Sequence, residues 1–456
     1  MAAQLPPALL SSIKTAKGFD EAAFIEVHQS GAQVVSVRLN PFKPVDLDEG
    51  FLKEKVPWSS EGYYLSSRPS FTLDPLFHAG AYYVQEASSM FLEEAVKQTT
   101  DLHKNIRVLD LCAAPGGKST LLQSIISGES LLVSNEVIKS RANVLAENIS
   151  KWGASNVLVT NNDPKDFQRL PEFFDLIVVD APCSGSGLFR KDPKAVDEWS
   201  VNNVTLCSQR QQRILADILP SLKTGGTLIY STCSYSVEED EQVVDWLIRE
   251  QQLSDLPLTL KPEWHIVETL SPERNGAGYR FYPDRLKGEG FFIASFRKEN
   301  NSGEGAEGKL KGKPNMAAAV EIAAVSPYLD APYEFSFLRW EENIIAMPKE
   351  IFPSFLQVQA NLYLKKAGLS VGSVIRNELL PSHELAVSTI LSEKLPRLEL
   401  TLDNALQYLR RQEMSIESPI RGWLIVTYKD LPLGLIKLLA NRVNNYYPKD
   451  WRILNK

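Results

Sequence analysis

The sequence has little cysteine and histidine and no long apolar run. Only 4 of its 456 residues are Cys and 5 are His, and they form no Cys-x-x-Cys pair or Cys/His ligand set, which argues against a disulfide-stapled protein and a structural zinc site. No uncharged apolar stretch reaches the roughly 18 residues that a membrane-spanning helix requires. Residues 1–11 contain no Lys or Arg, the wrong pattern for a secretory signal. We therefore expect a cytoplasmic protein without a metal ion or a membrane contact.

Positive charge is also in deficit. Lys and Arg number 49 against 56 Asp and Glu, a net charge of −7, so any nucleic acid must be held by a local basic patch. The apolar fraction of 44% and the charged fraction of 23% are typical of globular proteins. At roughly 150 residues per domain, this length predicts about three domains.

One polar segment predicts the main domain boundary. Residues 298–315, KENNSGEGAEGKLKGKPN, bury too little apolar surface to order themselves, so we expect a flexible linker. We divide the chain into an N-terminal α+β module (1–80), a central domain (81–297), the linker (298–315) and a C-terminal β-rich region (316–456). The expected elements in the outer parts are a helix at 8–17, a strand at 34–40 and two strands within 422–438.

The central domain alternates short apolar runs with amphipathic stretches. The apolar runs, read as buried parallel strands, are 106–111, 131–136, 156–160, 175–180 and 227–231. Helices are expected at 139–152 and 204–222. This α/β pattern predicts a doubly wound, Rossmann-like sheet that binds its ligand beyond the carboxyl ends of the strands.

A glycine-containing loop follows the first of these strands. The segment from Asp110 to Lys118 reads DLCAAPGGK, and glycines at a strand-to-helix turn let the backbone approach a ligand. An ordinary turn is the plain alternative. A P-loop, as in an NTPase, would require glycine at position 112, where this sequence has Cys112.

Acidic residues beyond the loop favour an adenosine-bearing cofactor. Glu136 lies 20 residues after Gly116, the position from which a carboxylate accepts hydrogen bonds from ribose hydroxyls. Asp163, with Asp166 as a rival, is placed to accept a hydrogen bond from the adenine amino group. Because no phosphate site is needed, S-adenosylmethionine fits this pattern.

Two cysteines follow the fourth and fifth strands. Cys183 and Cys233 are expected at the cofactor edge, because these two strands are neighbours in a doubly wound sheet; the plain alternative is a buried apolar role. Addition of a thiolate to C6 of a pyrimidine activates C5 to accept a methyl group. Asp180 is placed to bind or protonate N3 of the ring, and Lys118 is the alternative donor.

The segments DLCAAPGGK (110–118), DAPCSG (180–185) and STCS (231–234) closely resemble the signatures of the RNA (cytosine-5)-methyltransferases of the Nol/Nop/Sun type. The resemblance implies that Cys233 is the nucleophile and that Cys183 assists release of the methylated RNA. The positions that it assigns to the methyl donor are Cys112, Ala113, Ala114, Pro115, Gly116, Gly117, Lys118, Glu136, Asp163 and Asp180.

The outer segments resemble the bacterial members that act on 16S ribosomal RNA. That resemblance places VRLN (37–40) in an N-terminal RNA-binding module and LPLG (431–434) in a pseudouridine-synthase-like RNA-binding domain. It implies an S-adenosylmethionine-dependent RNA cytosine-C5 methyltransferase, a monomer that modifies ribosomal RNA or a ribosomal subunit. The alternatives are a P-loop NTPase and a catalytically silent RNA-binding ribosome assembly factor, for which two intact cysteines are unexpected.

Two regions are candidates for RNA contact. Phe189, Arg190 and Lys191 follow Cys183 and offer an aromatic ring and two cations as a clamp; alternatively, Phe189 packs inward. Residues 421–456 contain seven Lys or Arg against two Asp, interleaved with aromatic residues, a pattern typical of a phosphate-binding surface.

Overall fold

The structure is a computed structural model that describes residues 5–47, 50–299, 314–416 and 418–454. Residues 300–313 of the predicted linker lie outside these ranges. The described ranges contain four β-sheets. Within them, no helix combines the length and the apolar character that crossing a membrane demands.

The N-terminal module combines short helices with an antiparallel sheet of order β2-β3-β1-β4. Its elements are α1 (Pro7–Ile13), α2 (Glu21–Gln29), β1 (Ser36–Leu39), β2 (Leu52–Lys55), β3 (Gly62–Leu65), α3 (Pro75–Ala79) and β4 (Tyr82–Val84). The helix predicted at 8–17 ends at Ile13, and the strand predicted at 34–40 is confined to β1.

The central domain begins with α4 (Leu92–Thr99) and contains five parallel strands. These strands and their helices are β5 (Arg107–Asp110), α5 (Gly117–Ile125), β6 (Leu131–Asn135), α6 (Lys139–Trp152), β7 (Val157–Thr160), β8 (Phe174–Asp180), α7 (Lys194–Glu198), α8 (Val201–Ile218) and β9 (Leu222–Thr232). After α9 (Glu241–Arg249) come β10 (Leu253–Asp255), β11 (Val267–Leu270), β12 (Ala277–Phe281) and β13 (Phe291–Lys298).

The parallel strands lie in the order β9-β8-β5-β6-β7, and β13, β12 and β11 continue the sheet beyond β9 in antiparallel pairing. Both faces are covered: Leu132 packs into one apolar core and its neighbour Val133 into the core on the other face. This burial explains why these strands are continuous apolar runs rather than alternating ones. The predicted doubly wound α/β fold is confirmed.

The C-terminal part folds into two further sheets and adds one strand to the central sheet. Its elements are α10 (Ala319–Val325), β14 (Phe335–Trp340), β15 (Asn343–Pro348), α11 (Phe352–Asn361), β16 (Leu364–Ala367), β17 (Leu369–Ile375), β18 (Glu378–Pro381), α12 (His383–Ala386), β19 (Arg397–Glu399), α13 (Leu402–Arg410), β20 (Gly422–Tyr428), β21 (Leu431–Leu438) and β22 (Val443–Asn445). β16 pairs antiparallel with β7. The hairpin of β20 and β21 is the one predicted within 422–438.

The VRLN segment (37–40) attaches the N-terminal module to the central domain. The Arg38 guanidinium is buried and lies 4.7 Å from the centre of the Trp152 ring on α6. Asn40 donates its side-chain N–H groups to the carbonyls of Gly80 and Trp152, at 2.9 and 3.1 Å. Both polar side chains of this segment therefore face protein.

Candidate functional site

The loop after β5 leaves its backbone open to close approach. Gly116 has a φ of +121°, a conformation that strongly favours glycine. A Cβ on Gly117 would lie 3.3 Å from the Tyr83 ring. The loop carbonyls are fixed from α6, since Arg141 donates to Ala114 O at 2.7 Å and Asn148 to Pro115 O at 2.8 Å. The loop is therefore held in one shape before any ligand arrives.

Carboxylates at the ends of β5, β6 and β8 surround this loop. Burial, reinforced by the charges of Asp110, Asp180 and Glu136, raises the pKa of Cys112. Burial also raises the pKa of Asp110 to about 7. Asp110 accepts a hydrogen bond from Ser119 on one oxygen, whereas its Oδ1 is buried without a partner in the described part of the chain.

This set of acceptor groups fits S-adenosylmethionine. The sulfonium and the α-ammonium group of that cofactor are cationic, and its ribose offers hydroxyl donors. The three carboxylates, of which Asp110 has one buried oxygen without a partner among the described residues, complement it. The Glu136 carboxylate is held in a fixed orientation at this site. The Ile138 N–H donates to its Oε1 at 2.9 Å, and Arg141 lies 3.5 Å from its Oε2.

Asp163 lies beyond the end of β7, as expected, but its contacts are local. Its side chain accepts from the N–H of Lys165 at 3.1 Å, and Asp166 accepts from the Asp163 N–H at 3.2 Å, so the two rivals cap the same short helix. The neighbouring Asn162 is bonded to the backbone of Tyr363 from the C-terminal part. Asp163 is exposed and free to accept a further hydrogen bond.

Lys118 and Asp180 form an ion pair between the cofactor loop and the end of β8. Lys118 Nζ lies 2.7 Å from Asp180 Oδ2, and Ser231 donates to Asp180 Oδ1 at 2.8 Å. Burial alone would lower the pKa of Lys118, but the charge and hydrogen bond of Asp180, together with the charge of Asp110 and its neighbours, outweigh it and the pKa is raised. Lys118 Nζ also lies 5.3 Å from the centre of the Phe291 ring. The ammonium is therefore charged and fixed.

The two predicted thiols meet beside this ion pair. Cys183 follows β8, Cys233 follows β9, and their Sγ atoms are 2.9 Å apart. Both residues are half-buried. The hydrogen bond with Cys233 and the burial of Cys183 raise the pKa of Cys183 well above its ordinary value. One sulfur thus carries a firmly held proton directly beside the other.

The segment after Cys183 differs from the prediction. Phe189 packs in the apolar core below the loop, and the Arg190 side chain is only 5% exposed. Arg190 donates to the carbonyls of Ala32 and Gly288 and lies 3.4 Å from the buried carboxylate of Glu289. The predicted RNA clamp is therefore wrong for Phe189 and Arg190, because neighbouring segments occupy their polar and apolar surfaces; Lys191 alone of the three is exposed.

Sequence reasoning missed two buried residues that shape the site. Arg38 donates to Thr120 Oγ1 at 2.6 Å and to Gly117 O at 3.3 Å, so it supports the first turn of α5. Glu239 accepts hydrogen bonds behind both cysteine loops. Arg38 lies in VRLN (37–40), a segment that the resemblance linked to RNA binding and not to the cofactor loop. Glu239 lies in the acidic run VEEDE, which usually indicates a solvated helix start.

The C-terminal basic segment presents a mixed surface. Its exposed cations are Arg421, Arg442, Lys449 and Arg452. Lys437 Nζ lies 5.1 Å from the centre of the Trp423 ring, which packs 4.5 Å from Tyr446. Tyr447, in contrast, is fully buried. The basic groups are therefore accessible, but only part of the aromatic set is.

A glycine loop after the first strand of a doubly wound sheet, with carboxylates at the ends of the neighbouring strands, defines a Rossmann-like enzyme that binds an adenosine-bearing cofactor. Three family models match this chain. They are described as 16S rRNA methyltransferase RsmB/F (97–297), the N-terminal domain of 16S rRNA methyltransferase RsmF (5–87) and the methyltransferase RsmF PUA domain (395–453).

Similar proteins agree with these models. "Ribosomal RNA small subunit methyltransferase F" of Aliivibrio fischeri (strain MJ11) is 31% identical over 87% of this chain and 85% of its own length. The protein of the same name from Serratia proteamaculans (strain 568) is 29% identical over 98% of this chain and 96% of its own length. A methyltransferase homologue from Pyrococcus horikoshii has a solved structure with 28% identity and a TM-score of 0.51, covering 64% of this chain and all of its own.

The chain belongs to the RsmB/F family of 16S rRNA methyltransferases, and its cofactor is S-adenosylmethionine. The P-loop NTPase and the silent assembly factor gain no support from these comparisons.

Proposed function

We propose that the protein methylates C5 of a cytosine in 16S ribosomal RNA, with Cys233 as the nucleophile. The observation that carries this proposal is the pair of thiols, with their sulfurs 2.9 Å apart at the cofactor edge of the sheet. A methyltransferase acting on oxygen or on an amino nitrogen has no need of such a pair, whereas C5 of a cytosine requires a covalent nucleophile.

The chemistry follows from the weakness of C5 as a nucleophile. A thiolate of Cys233 adds to C6, which makes C5 electron-rich. S-adenosylmethionine, when bound, supplies an electrophilic methyl group. The C5 proton then passes to water, the bond between Cys233 Sγ and C6 breaks, and the aromatic ring is restored.

Lys118 and Asp180 are proposed to stabilise the ring as it changes charge. Negative charge develops at N3 when the thiolate adds to C6, so a proton donor is needed there. Asp180 was expected to be this donor, but both of its oxygens already accept hydrogen bonds, so we propose the alternative, charged Lys118, as the donor and Asp180 as the group that orients it.

Cys183 is proposed to assist release. Its thiol stays protonated and lies within reach of the Cys233 sulfur. Donation of the Cys183 S–H to that sulfur stabilises it as a leaving thiolate, which favours elimination of the methylated RNA.

The remaining residues of the cofactor loop and the carboxylates are proposed to bind the methyl donor. The proposed set is Cys112 to Lys118, Glu136, Asp163 and Asp180. Asp110, whose Oδ1 is buried and has no hydrogen-bond partner in the part of the chain that the structure describes, is added to this set.

RNA is proposed to lie across Lys191 and the exposed cations of residues 421–456. We also propose that the protein is a monomer and that it works in the cytoplasm. We further propose the domain division 1–80, 81–297, 298–315 and 316–456, with the correction that β4 (Tyr82–Val84) pairs with β1 and so belongs to the N-terminal sheet. A target cytosine inside a helix must leave its stack to reach Cys233, because C6 is covered there by neighbouring bases.

The proposal is tested by mapping 5-methylcytosine in 16S rRNA from cells with and without the gene. We expect one or a few positions to lose the methyl group in the deletion strain. Purified protein, given S-adenosylmethionine, should restore the mark on deletion-strain 30S subunits or on their deproteinised RNA. Methyl transfer to a base nitrogen or a ribose oxygen instead would contradict the cytosine-C5 assignment.

A further inference from the structure

The loops that carry the two thiols are joined from behind by one buried carboxylate. The Glu239 side chain is fully buried. It accepts from the Ser184 N–H at 2.8 Å and the Ser184 hydroxyl at 2.5 Å, and from the Ser234 hydroxyl at 2.6 Å. Ser184 directly follows Cys183, and Ser234 directly follows Cys233. The same carboxylate therefore holds the residue after each reactive thiol.

A third element anchors this carboxylate. Gln211 on α8 donates to Glu239 Oε1 and to the carbonyl of Pro182, each at 3.1 Å. The Tyr230 hydroxyl on β9 lies 2.6 Å from the Glu239 carbonyl, to which its one O–H donates, and 3.0 Å from Gln211 Oε1. The carboxylate is thus fixed against the sheet and a helix, and the cysteine loops are fixed against the carboxylate.

The ionised form of Glu239 suits this arrangement, because all four of its side-chain contacts are accepted hydrogen bonds. Burying a carboxylate is costly unless such donors surround it. Burial raises the pKa of Glu239 in spite of these four donors. Stability of the fold alone does not require a charge here, since a well-packed apolar side chain of similar size usually serves as well.

We propose that Glu239 is a positioning residue that fixes the separation of the attacking and the releasing thiol. The inference rests on the proposed function, because it assumes that both thiols take part in the reaction. A displacement of about 1 Å at a reacting atom costs about 100-fold in rate. Removal of Glu239 should therefore slow covalent attack while the cofactor loop, on the other side of the ion pair, keeps its shape.

The test uses the full-length protein and RNA containing 5-fluorocytosine. Fluorine at C5 cannot leave as a proton does, so the covalent adduct with the protein persists and its rate of formation can be measured. Glu239→Ala should form adduct about 100-fold more slowly and bind S-adenosylmethionine within about twofold of the unmodified protein. Glu239→Gln should recover most of the rate, because its oxygen can still accept from N–H groups and serine hydroxyls can turn to accept from its amide. The half-buried neighbour provides the matched control, Glu238→Gln.

Two serine variants keep the proposal testable if Glu239→Ala does not fold. Ser184→Ala keeps the backbone N–H contact, whereas Ser234→Ala removes the one hydrogen bond that joins the Glu239 side chain to the Cys233 loop among the described residues. Ser234→Ala should therefore slow adduct formation more than Ser184→Ala does.

Several outcomes overturn the role of Glu239. They are an unchanged adduct rate in Glu239→Ala, no recovery in Glu239→Gln, a parallel loss of cofactor binding, or serine variants that rank the other way. None of these outcomes contradicts the proposed function, provided that the unmodified protein forms the adduct. If the unmodified protein forms no adduct at all, the proposed function fails instead.

Discussion

The sulfur of Cys183 lies 2.9 Å from the sulfur of Cys233, although 50 residues separate the two along the chain. Parallel pairing of β8 with β9 produces this contact, because it aligns Asp180 with Ser231 at the ends of the two strands. The proposed chemistry depends on this relationship, which variants of the two cysteines test directly.

Cys233→Ala should abolish methyl transfer to 16S rRNA. Cys183 does not replace the thiolate that adds to C6, since its burial and the nearby charge of Glu239, which both remain in this variant, still raise its pKa. Transfer of radioactive methyl groups from S-adenosylmethionine to deletion-strain RNA measures the effect. Cofactor binding should remain, which separates loss of attack from loss of fold. Retained turnover would remove Cys233 from its role.

Cys183→Ala should let the covalent RNA adduct accumulate. The attacking thiol is intact in this variant, but the departing sulfur loses its neighbouring proton donor. A denaturing gel should then show a slow-migrating protein–RNA species with ordinary, non-fluorinated RNA. The double variant Cys183→Ala/Cys233→Ala is the control and should show no such species. If the single variant also lacks it, Cys183 has no part in release.

Lys118→Met should lower kcat by about 100-fold or more, the usual effect of losing a proton donor at a reacting group. The change also leaves the Asp180 carboxylate without its charged partner beside the reacting ring. Lys104→Met, which alters an exposed lysine paired with Asp101, provides a matched control. A fall in methyl transfer no larger than that of the control would contradict the assigned role.

Arg38→Met should weaken cofactor binding through the N-terminal module. Arg38 donates to the first turn of α5 and to Gln85, so its loss leaves buried acceptors unpaired, at a cost of about 1–3 kcal/mol. We expect a lower Tm and about tenfold weaker binding of S-adenosylmethionine by calorimetry. Arg68→Met, at an exposed arginine, should change neither. Unchanged cofactor affinity in Arg38→Met would show that the module does not support the loop.

Protonation of His78 should lower the stability of the fold in acid. This residue lies at the contact between the N-terminal module and the C-terminal part. Its ring nitrogens lie 2.9 Å from the Thr72 carbonyl and 3.2 Å from the Tyr447 hydroxyl. Burial lowers the pKa of His78 from 6.5 to about 4. The unfolded chain therefore takes up this proton first, so the stabilising contribution is complete above pH 6.5 and is lost as the pH falls towards 4.

Urea unfolding at pH 7 and pH 5 measures this contribution. Between these two values the unmodified protein should lose about 2 kcal/mol more stability than His78→Gln does, at about 1.4 kcal/mol for each pH unit below 6.5. Equal losses in the two proteins would contradict a neutral, buried His78.

Much of the central domain was predictable because parallel strands covered on both faces are continuous apolar runs. The predicted helix 139–152 coincides with α6, and the expected positions of Gly116 and Cys233 after their strands followed directly. The neighbouring placement of β8 and β9 followed from the handedness and order of doubly wound sheets.

The remaining features depend on contacts between distant segments. β16 joins the central sheet beside β7, about 200 residues away along the chain, and no local pattern specifies that pairing. The sequence of the turn that contains Phe189 and Arg190 is equally compatible with a solvent-facing clamp. The Arg190 side chain is buried because it contacts Ala32 and Glu289, which are distant along the chain. The sequence does not distinguish Glu239 from a surface carboxylate. Its burial is explained by hydrogen bonds from Ser184 and Ser234, which come together only in the folded protein.

The most direct test is to locate the covalent bond in the adduct with RNA containing 5-fluorocytosine. The trapped complex is digested with protease and nuclease, and the modified peptide is sequenced by mass spectrometry. We predict a single nucleotide attached to the sulfur of Cys233 through C6, bearing the transferred methyl group at C5. Attachment to Cys183, or methylated RNA without any attached peptide, would contradict the mechanism.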